Sequence, residues 1–486
     1  MQRFEIIDKD VMGRIGKLET PHGKIETPTI MPVINPNIEF IPPNEMKKFG
    51  AQIIITNAYI IYKTPHLKEE ALKKGVHRLL STDLPVMTDS GSYQLMVYGD
   101  IEVTNEEIVK FQNEIGSDII VPLDIPTPPD ADYNTALNDL KITIEREKEA
   151  SMIDRGDKLL ALPIQGSTHI DLRKLAAEEA LKINGDVYAI GGVVPLMDTY
   201  RFYDLVRIIL NVKSILSSYA PIHLFGAGHP MIFAIAVALG CDLFDSAAYA
   251  LYAKDDRYLT PYGTKKLQEL HYFPCSCPIC LEYTPEELRR IEKAEREKLI
   301  AEHNLWVCFE EIRLIKQAIK ENCLFELVEK RIRCHPNLLH AWRQIKEYGW
   351  IIEEYDPSMK HSFLYLGVES CYRPAVKRHH ERVLRVELPE KEEIVISTDE
   401  GIPADFYIKP AFGVVPAEMM ESYPAGHAEM PPAEYIEEEA LKIAVEGLRK
   451  FLHHHANRKF KIIVKGRWKE FIRDLPENAV INYDES

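Results

Sequence analysis

The sequence predicts an α/β chain: a (β/α)8 TIM barrel with an inserted structural zinc subdomain, followed by a C-terminal α+β extension. Three observations carry that prediction. Eight short β-branched runs alternate with longer amphipathic stretches between residues 26 and 252. A cysteine cluster with zinc-ligand spacing follows the eighth run. From about residue 346 the pattern changes to alternating strands and one long amphipathic helix.

The strand runs, in order, are ETPTIMPVI, QIIITNA, PVMTDSG, DIIVPLDIP, LLALPIQG, VYAIGGVV, PIHLFGAG and LFDSAAY. Between them lie helical patterns such as NEEIVKFQNEIG (105–116), LRKLAAEEALKIN (172–184) and the very apolar MIFAIAVALG (231–240). Near-continuous apolar strands separated by helices pair in parallel and are buried on both faces. Eight consecutive units favour closure into a barrel over an open doubly wound sheet. The organisation expected is a catalytic barrel over 1–270, a zinc subdomain with closing helices over 271–345, and the extension over 346–486.

Composition narrows the function. With 46% hydrophobic and 28% charged residues, the chain supports an ordinary globular core. A net charge of −16 argues against a protein that coats nucleic acid nonspecifically, so contact with a polyanion needs a local basic patch. Mean hydropathy is −0.20, no apolar run reaches the ~20 residues of a membrane span, and MQRFEIIDKD has no signal core. A cytoplasmic location with no membrane partner is the expectation. Eight cysteines are too few for a disulfide scaffold.

Barrel chemistry sits at the C-terminal strand ends. Reading those ends gives Asp89, Asp124, Gln165, Gly191–Gly192, Gly226–Gly228 and Asp245. Next, Cys275, Cys277, Cys280 and His303 form C-x-C-x2-C-x22-H, three thiolates and an imidazole for a closed tetrahedral zinc shell. His271 competes for the fourth position, but His303 follows a helix able to fold back over the loop. In the extension, RVLRVELPEKEEIVIST (382–398) reads as solvated antiparallel strands and 432–452 as one amphipathic helix. The stretch 449–473 holds nine basic residues against one acidic residue, which suits phosphates. No RNA-binding PUA pattern is found before the chain stops at INYDES.

MTDSGSYQ (87–94), PLDIPTPPD (122–130), PIQGS (163–167), AIGGVVP (189–195), LFGAGHP (224–230), LFDSA (243–247) and the Cys3His cluster together resemble the tRNA-guanine transglycosylases, most closely the archaeal, archaeosine-forming branch. The likeness is strong over about 1–345 and weaker beyond. It implies a barrel with structural Zn2+, a tRNA substrate, and exchange of guanine at position 15 of the D-arm for 7-cyano-7-deazaguanine. It also implies a homodimer. Many archaeal members end in a PUA domain, so the dimer, a separate PUA-bearing protein or the basic segment is expected to supply the missing tRNA contacts. Two alternatives remain within the family: queuine-type exchange at the anticodon wobble base, and a non-catalytic tRNA-binding member.

Base exchange with retained configuration at C1′ takes two displacements, hence one carboxylate to attack and one acid/base group for the proton. By resemblance Asp245 is the nucleophile and Asp89 the general acid/base. Asp124, Gln165 and Gly192 would read the purine edge, with Tyr93 stacking on the ring. Asp242 stands three residues before Asp245, an odd spacing that sends the two to opposite faces of a strand. It reads as a turn residue.

Overall fold

The computed structural model describes residues 3–38, 40–92 and 103–484. Three antiparallel strands come first: β1 (Phe4–Asp10), β2 (Gly13–Thr20) and β3 (Gly23–Thr27). The sequence pattern alone does not separate this sheet. Eight parallel strands follow: β4 (Thr29–Ile34), β5 (Ile54–Asn57), β6 (Val86–Asp89), β7 (Ile119–Ile120), β8 (Leu159–Ile164), β9 (Val187–Ile190), β10 (Ile222–Leu224) and β11 (Leu243–Ser246). They close into a barrel in chain order, as expected. The seam is β11 against β4, with Asp245 opposite Met31.

The barrel strands are short and almost wholly buried, and several end at a polar residue: Asn57 in β5, Asp89 in β6 and Ser246 in β11, with Gln165 just after β8. Alternate side chains fill the interior: Ile53 and Ile55, Ile119 and Val121, Leu159 and Ala161 belong to one cluster. Phe4, Leu18 and Ile25 of the first sheet join that cluster, so the sheet packs against the interior of the barrel. Fully burying side chains of this size contributes roughly 1.5–3 kcal/mol each.

Two buried carboxylates fasten the N-terminal strand ends. Asp242, just before β11, receives Arg14 Nε at 2.8 Å and Nη2 at 2.7 Å, and the Ile222 N–H at 2.8 Å. It therefore stands away from the barrel mouth, as its spacing from Asp245 predicts. Asp118, just before β7, accepts the N–H of Val86 at 2.8 Å and of His22 at 2.9 Å. The rings of His22 and His77 complete its shell at 2.9 and 2.8 Å.

Outer helices alternate with the strands. Asn105–Glu114 starts at a capping box made by Thr104 and Glu107. Tyr133–Met152 is capped by Asp132, and Ile170–Ile183 ends on left-handed Asn184. Phe233–Ala238 is buried all round, which explains its uninterrupted apolar sequence.

The chain divides into two compact units, one of Met1–Lys320 with Arg331–Gln344, the other of Glu321–Lys330 with Ile345–Ser486. The second unit is built on a five-stranded sheet in the order Gly413–Pro416, Phe406–Lys409, Glu393–Ser397, Lys459–Val464, Ala479–Tyr483. Only the first pair is antiparallel. The expectation of solvated antiparallel strands over 382–398 is corrected accordingly. Residue 382 ends the helix Pro374–Arg382, and the strand at Glu393–Ser397 buries Ile394 and Ile396 between parallel neighbours. Alternating hydropathy marks the strand, but a single strand cannot show which way its partners run. The long helix is present as Glu438–His454.

Candidate active site

The C-terminal strand ends gather the polar residues into one mouth. Asp89 closes β6, Gln165 directly follows β8, Gly191–Gly192 follow β9, Gly226 follows β10, and Asp245 is the third residue of β11. Asp124 stands beyond β7. Tyr93 lies outside the described residues.

Asp245 is held by two donors on one oxygen. His223 Nε2 donates to its Oδ1 at 2.8 Å, and the Gly226 N–H does so at 2.7 Å. The glycine is required there: its φ is +68°, and an added Cβ would meet Val194 Cγ2 at 2.3 Å. His223 is completely buried, and its Nδ1 has no hydrogen-bond partner among the described residues. Its Nε2 therefore carries the proton given to Asp245. Sequence reasoning misses His223. The available signal was a lone imidazole in an otherwise apolar, doubly buried strand, where a polar ring must find a partner.

Asp89 has the opposite environment. Burial, with the neighbouring charges of Asp124 and Asp245, pushes its pKa up to about 7. Asn57 Nδ2 donates to its Oδ2 at 3.2 Å. The mouth thus holds one carboxylate under two N–H donors and one poised to carry a proton near neutrality.

Asp124 is buried and hydrogen-bonded to Gln165 Nε2 at 2.5 Å, while its own N–H donates to Ser92 Oγ at 3.0 Å. Burial raises its pKa, and the hydrogen bonds from Ser92 and Gln165 work against that rise. Gln165 lies flat on the glycine pair: a Cβ on Gly191 would sit 2.3 Å from its Nε2, and one on Gly192 2.8 Å from its Oε1. Its buried Oε1 has no partner among the described residues. The set can accept from two adjacent N–H groups of a planar ring and donate to the oxygen beside them.

Cys275, Cys277, Cys280 and His303 come together, their ligand atoms all within 4.8 Å of one another. Cys277 Sγ and Cys280 Sγ each lie 3.4 Å from His303 Nδ1. Tetrahedral zinc with ordinary Zn–S and Zn–N bonds sets that separation at roughly 3.5 Å. His303 Nε2 donates to Leu259 O at 2.9 Å, which leaves the Nδ1 lone pair aimed at the sulfurs. Tyr258 stacks on the imidazole at 3.6 Å. These residues fit a closed Cys3His metal site, and the donor set suits zinc; His271 is not among the ligands gathered. The cluster of His22, His77 and Asp118 is of another kind, because both carboxylate oxygens already accept two N–H groups each.

The basic stretch 449–473 is spread over a helix end, the strand Lys459–Val464 and the turn Gly466–Glu470. Several of its charges are used internally: Lys450 pairs with Glu446, Lys465 with Asp399, and Arg467 holds the Ile436 carbonyl.

A profile of the family described as queuine tRNA-ribosyltransferase matches residues 9–337. Among curated relatives, a tRNA-guanine(15) transglycosylase of Archaeoglobus fulgidus is 66% identical over 99% of both chains. That of Methanosarcina barkeri is 50% identical over 99% of this chain and 98% of its own. That of Pyrococcus furiosus is 53% identical over 88% of this chain and 71% of its own.

Proposed function

The chain belongs to the queuine tRNA-ribosyltransferase family, and from that premise we propose that it replaces guanine 15 in the D-arm of tRNA with 7-cyano-7-deazaguanine. The product is the precursor of archaeosine. The observation that carries the reading is the pair of carboxylates in one mouth with opposed environments: Asp245 under two N–H donors and Asp89 with a pKa of about 7. That is the division of labour a two-step displacement requires.

In the first step an Asp245 oxygen attacks C1′ of nucleotide 15. The bond from C1′ to N9 breaks with its electron pair on guanine, and Asp89 delivers the proton. In the second step the Asp89 carboxylate takes the N9 proton of the entering base, and N9 displaces Asp245 from C1′. Two inversions return the original configuration. His223 and Gly226 orient the nucleophile and support its charge as it leaves. Asp124 accepts from N1–H and the 2-amino group, Gln165 and the Gly192 N–H read O6, and Tyr93 stacks on the ring. The target base leaves its own stack to reach the mouth, at a cost of a few kcal/mol.

Zn2+ bound by Cys275, Cys277, Cys280 and His303 has a structural role, tying the loop before Pro278–Glu282 to the helix Lys293–Lys320. By family habit the enzyme works as a cytoplasmic homodimer. A separate PUA-bearing protein or the basic segment adds tRNA contacts.

The test is incorporation of labelled 7-cyano-7-deazaguanine into an unmodified archaeal tRNA transcript, with Asp245→Asn alongside. Label at position 15 from the wild type alone supports the reaction, the site and the nucleophile together. Label at the wobble base, or from the variant, refutes the reading.

A further inference from the structure

Arg173 stands on the helix Ile170–Ile183 and is completely buried. Among the described residues no carboxylate pairs with it. Its Nε donates to Ser167 O at 2.8 Å, and its Nη1 to Ile164 O at 2.5 Å and Gly191 O at 2.9 Å. Its Nη2 makes no hydrogen bond among the described residues. Burial alone draws its pKa down to about 9, so the guanidinium is a cation with no counter-ion among the described residues.

The three carbonyls are not scattered. Ile164 is the last residue of β8, Ser167 lies in the loop beyond it, and Gly191 directly follows β9. One guanidinium thus ties together the two strand ends that carry Gln165 and Gly192. An ammonium has no planar fork with which to hold three carbonyls in this arrangement.

Peptide planarity gives this grip a consequence at the mouth. The peptide joining Gly191 to Gly192 is trans, since the cis bonds among the described residues are Thr27–Pro28 and Tyr423–Pro424. In a trans peptide the C=O and the following N–H point in opposite directions. The Gly191 carbonyl faces Arg173, so the Gly192 N–H faces away from it. That N–H has no acceptor among the described residues. The glycine pair also lets Gln165 lie against this same peptide.

We propose that Arg173 is a positioning residue for base selection: by holding the Gly191 carbonyl from behind, it aims the Gly192 N–H at the purine O6 and keeps Gln165 beside it. This rests on the reading of the pocket given under Proposed function. In this reading Arg173 acts through the backbone carbonyls it holds, not on base or ribose.

The experiment measures base exchange by the full chain on tRNA for wild type, Arg173→Lys and Arg173→Gln, with two entering bases. One is 7-cyano-7-deazaguanine and the other is its analogue without O6, 2-amino-7-cyano-7-deazapurine, which also lacks the N1–H that Asp124 accepts. Wild type is expected to prefer the first by about 100-fold in KM, for the two contacts together. No preference in wild type overturns the pocket reading, and this inference with it. In both variants the KM for the O6 base rises about tenfold, kcat is nearly unchanged and the analogue is unaffected, so the preference shrinks about tenfold to the part that Asp124 supplies. Equal losses on both bases, or the full wild-type preference retained in folded Arg173→Lys, overturn the positioning role alone. Hydrogen exchange on wild type keeps the idea testable where neither variant folds. The Gly192 amide becomes protected with the O6 base and not with the analogue, and equal exchange with both overturns the proposal.

Discussion

Replacing Asp89 with asparagine separates the stability of the barrel from its chemistry. Burial and the charges of Asp124 and Asp245 lift the Asp89 pKa from 3.8 to about 7. Ionising the folded protein near pH 8 therefore costs about 4 kcal/mol relative to the unfolded chain. Because the folded pKa lies above the unfolded one, the native state holds the proton more tightly. The wild type then loses stability as pH rises from about 4 through about 7, and the loss levels off above that. An asparagine amide in the same place has nearly the same shape and never ionises. In urea denaturation, Asp89→Asn is expected to be no more stable than wild type near pH 4. Its advantage grows steadily with pH and approaches about 4 kcal/mol by pH 8 as an upper bound. Base exchange by the same variant is expected to fall by at least ~100-fold, since the proposed general acid/base is gone. An advantage that does not change with pH would refute the reasoning, because it would mean that Asp89 ionises no differently in the folded and unfolded chain.

The remaining predictions concern Asp245, the metal site and Asp118. Removing the charge-assisted bond to Asp245 by His223→Phe is expected to lower kcat by about 10- to 100-fold with little change in the KM for tRNA; single-turnover and steady-state kinetics would separate the two. Cys277→Ser lowers the zinc content, read by elemental analysis, from one per chain towards none, and the melting temperature falls with it. Burial raises the pKa of Asp118, but the bonds from His77, the Val86 N–H and His22 outweigh that and leave it lowered. Its stabilisation is therefore present above the unfolded value of 3.8 and is lost as pH falls through the folded value. Asp118→Asn is expected to destabilise by about 2–4 kcal/mol at pH 7, and by less in acid, in denaturation at the two pH values.

What the sequence showed plainly was whatever depends on local order. A strand buried on both faces, such as LLALPI, must be apolar along its whole length, and a polar residue directly after it must stand at a strand end. That is why Gln165 and Asp89 could be located. Zinc spacing is local for the three cysteines, and His303 followed from one helix. Arg173 was not legible. In an amphipathic helical pattern an arginine reads as a solvent-facing residue, and only the folded chain shows three carbonyls converging on it. The β1–β3 sheet was hidden for a similar reason. Arg14 takes its meaning from Asp242, 228 positions away.

The seam of the barrel has a consequence for how the protein comes off the ribosome. β4 leaves early, and its edge stays unpaired until β11 is synthesised about two hundred residues later. The strand that ends this wait is the one carrying the proposed nucleophile, with Asp245 laid against Met31 in the closing pair. Under the proposed mechanism, an unfinished or truncated chain lacking β11 has no attacking group and cannot open the glycosidic bond by that route.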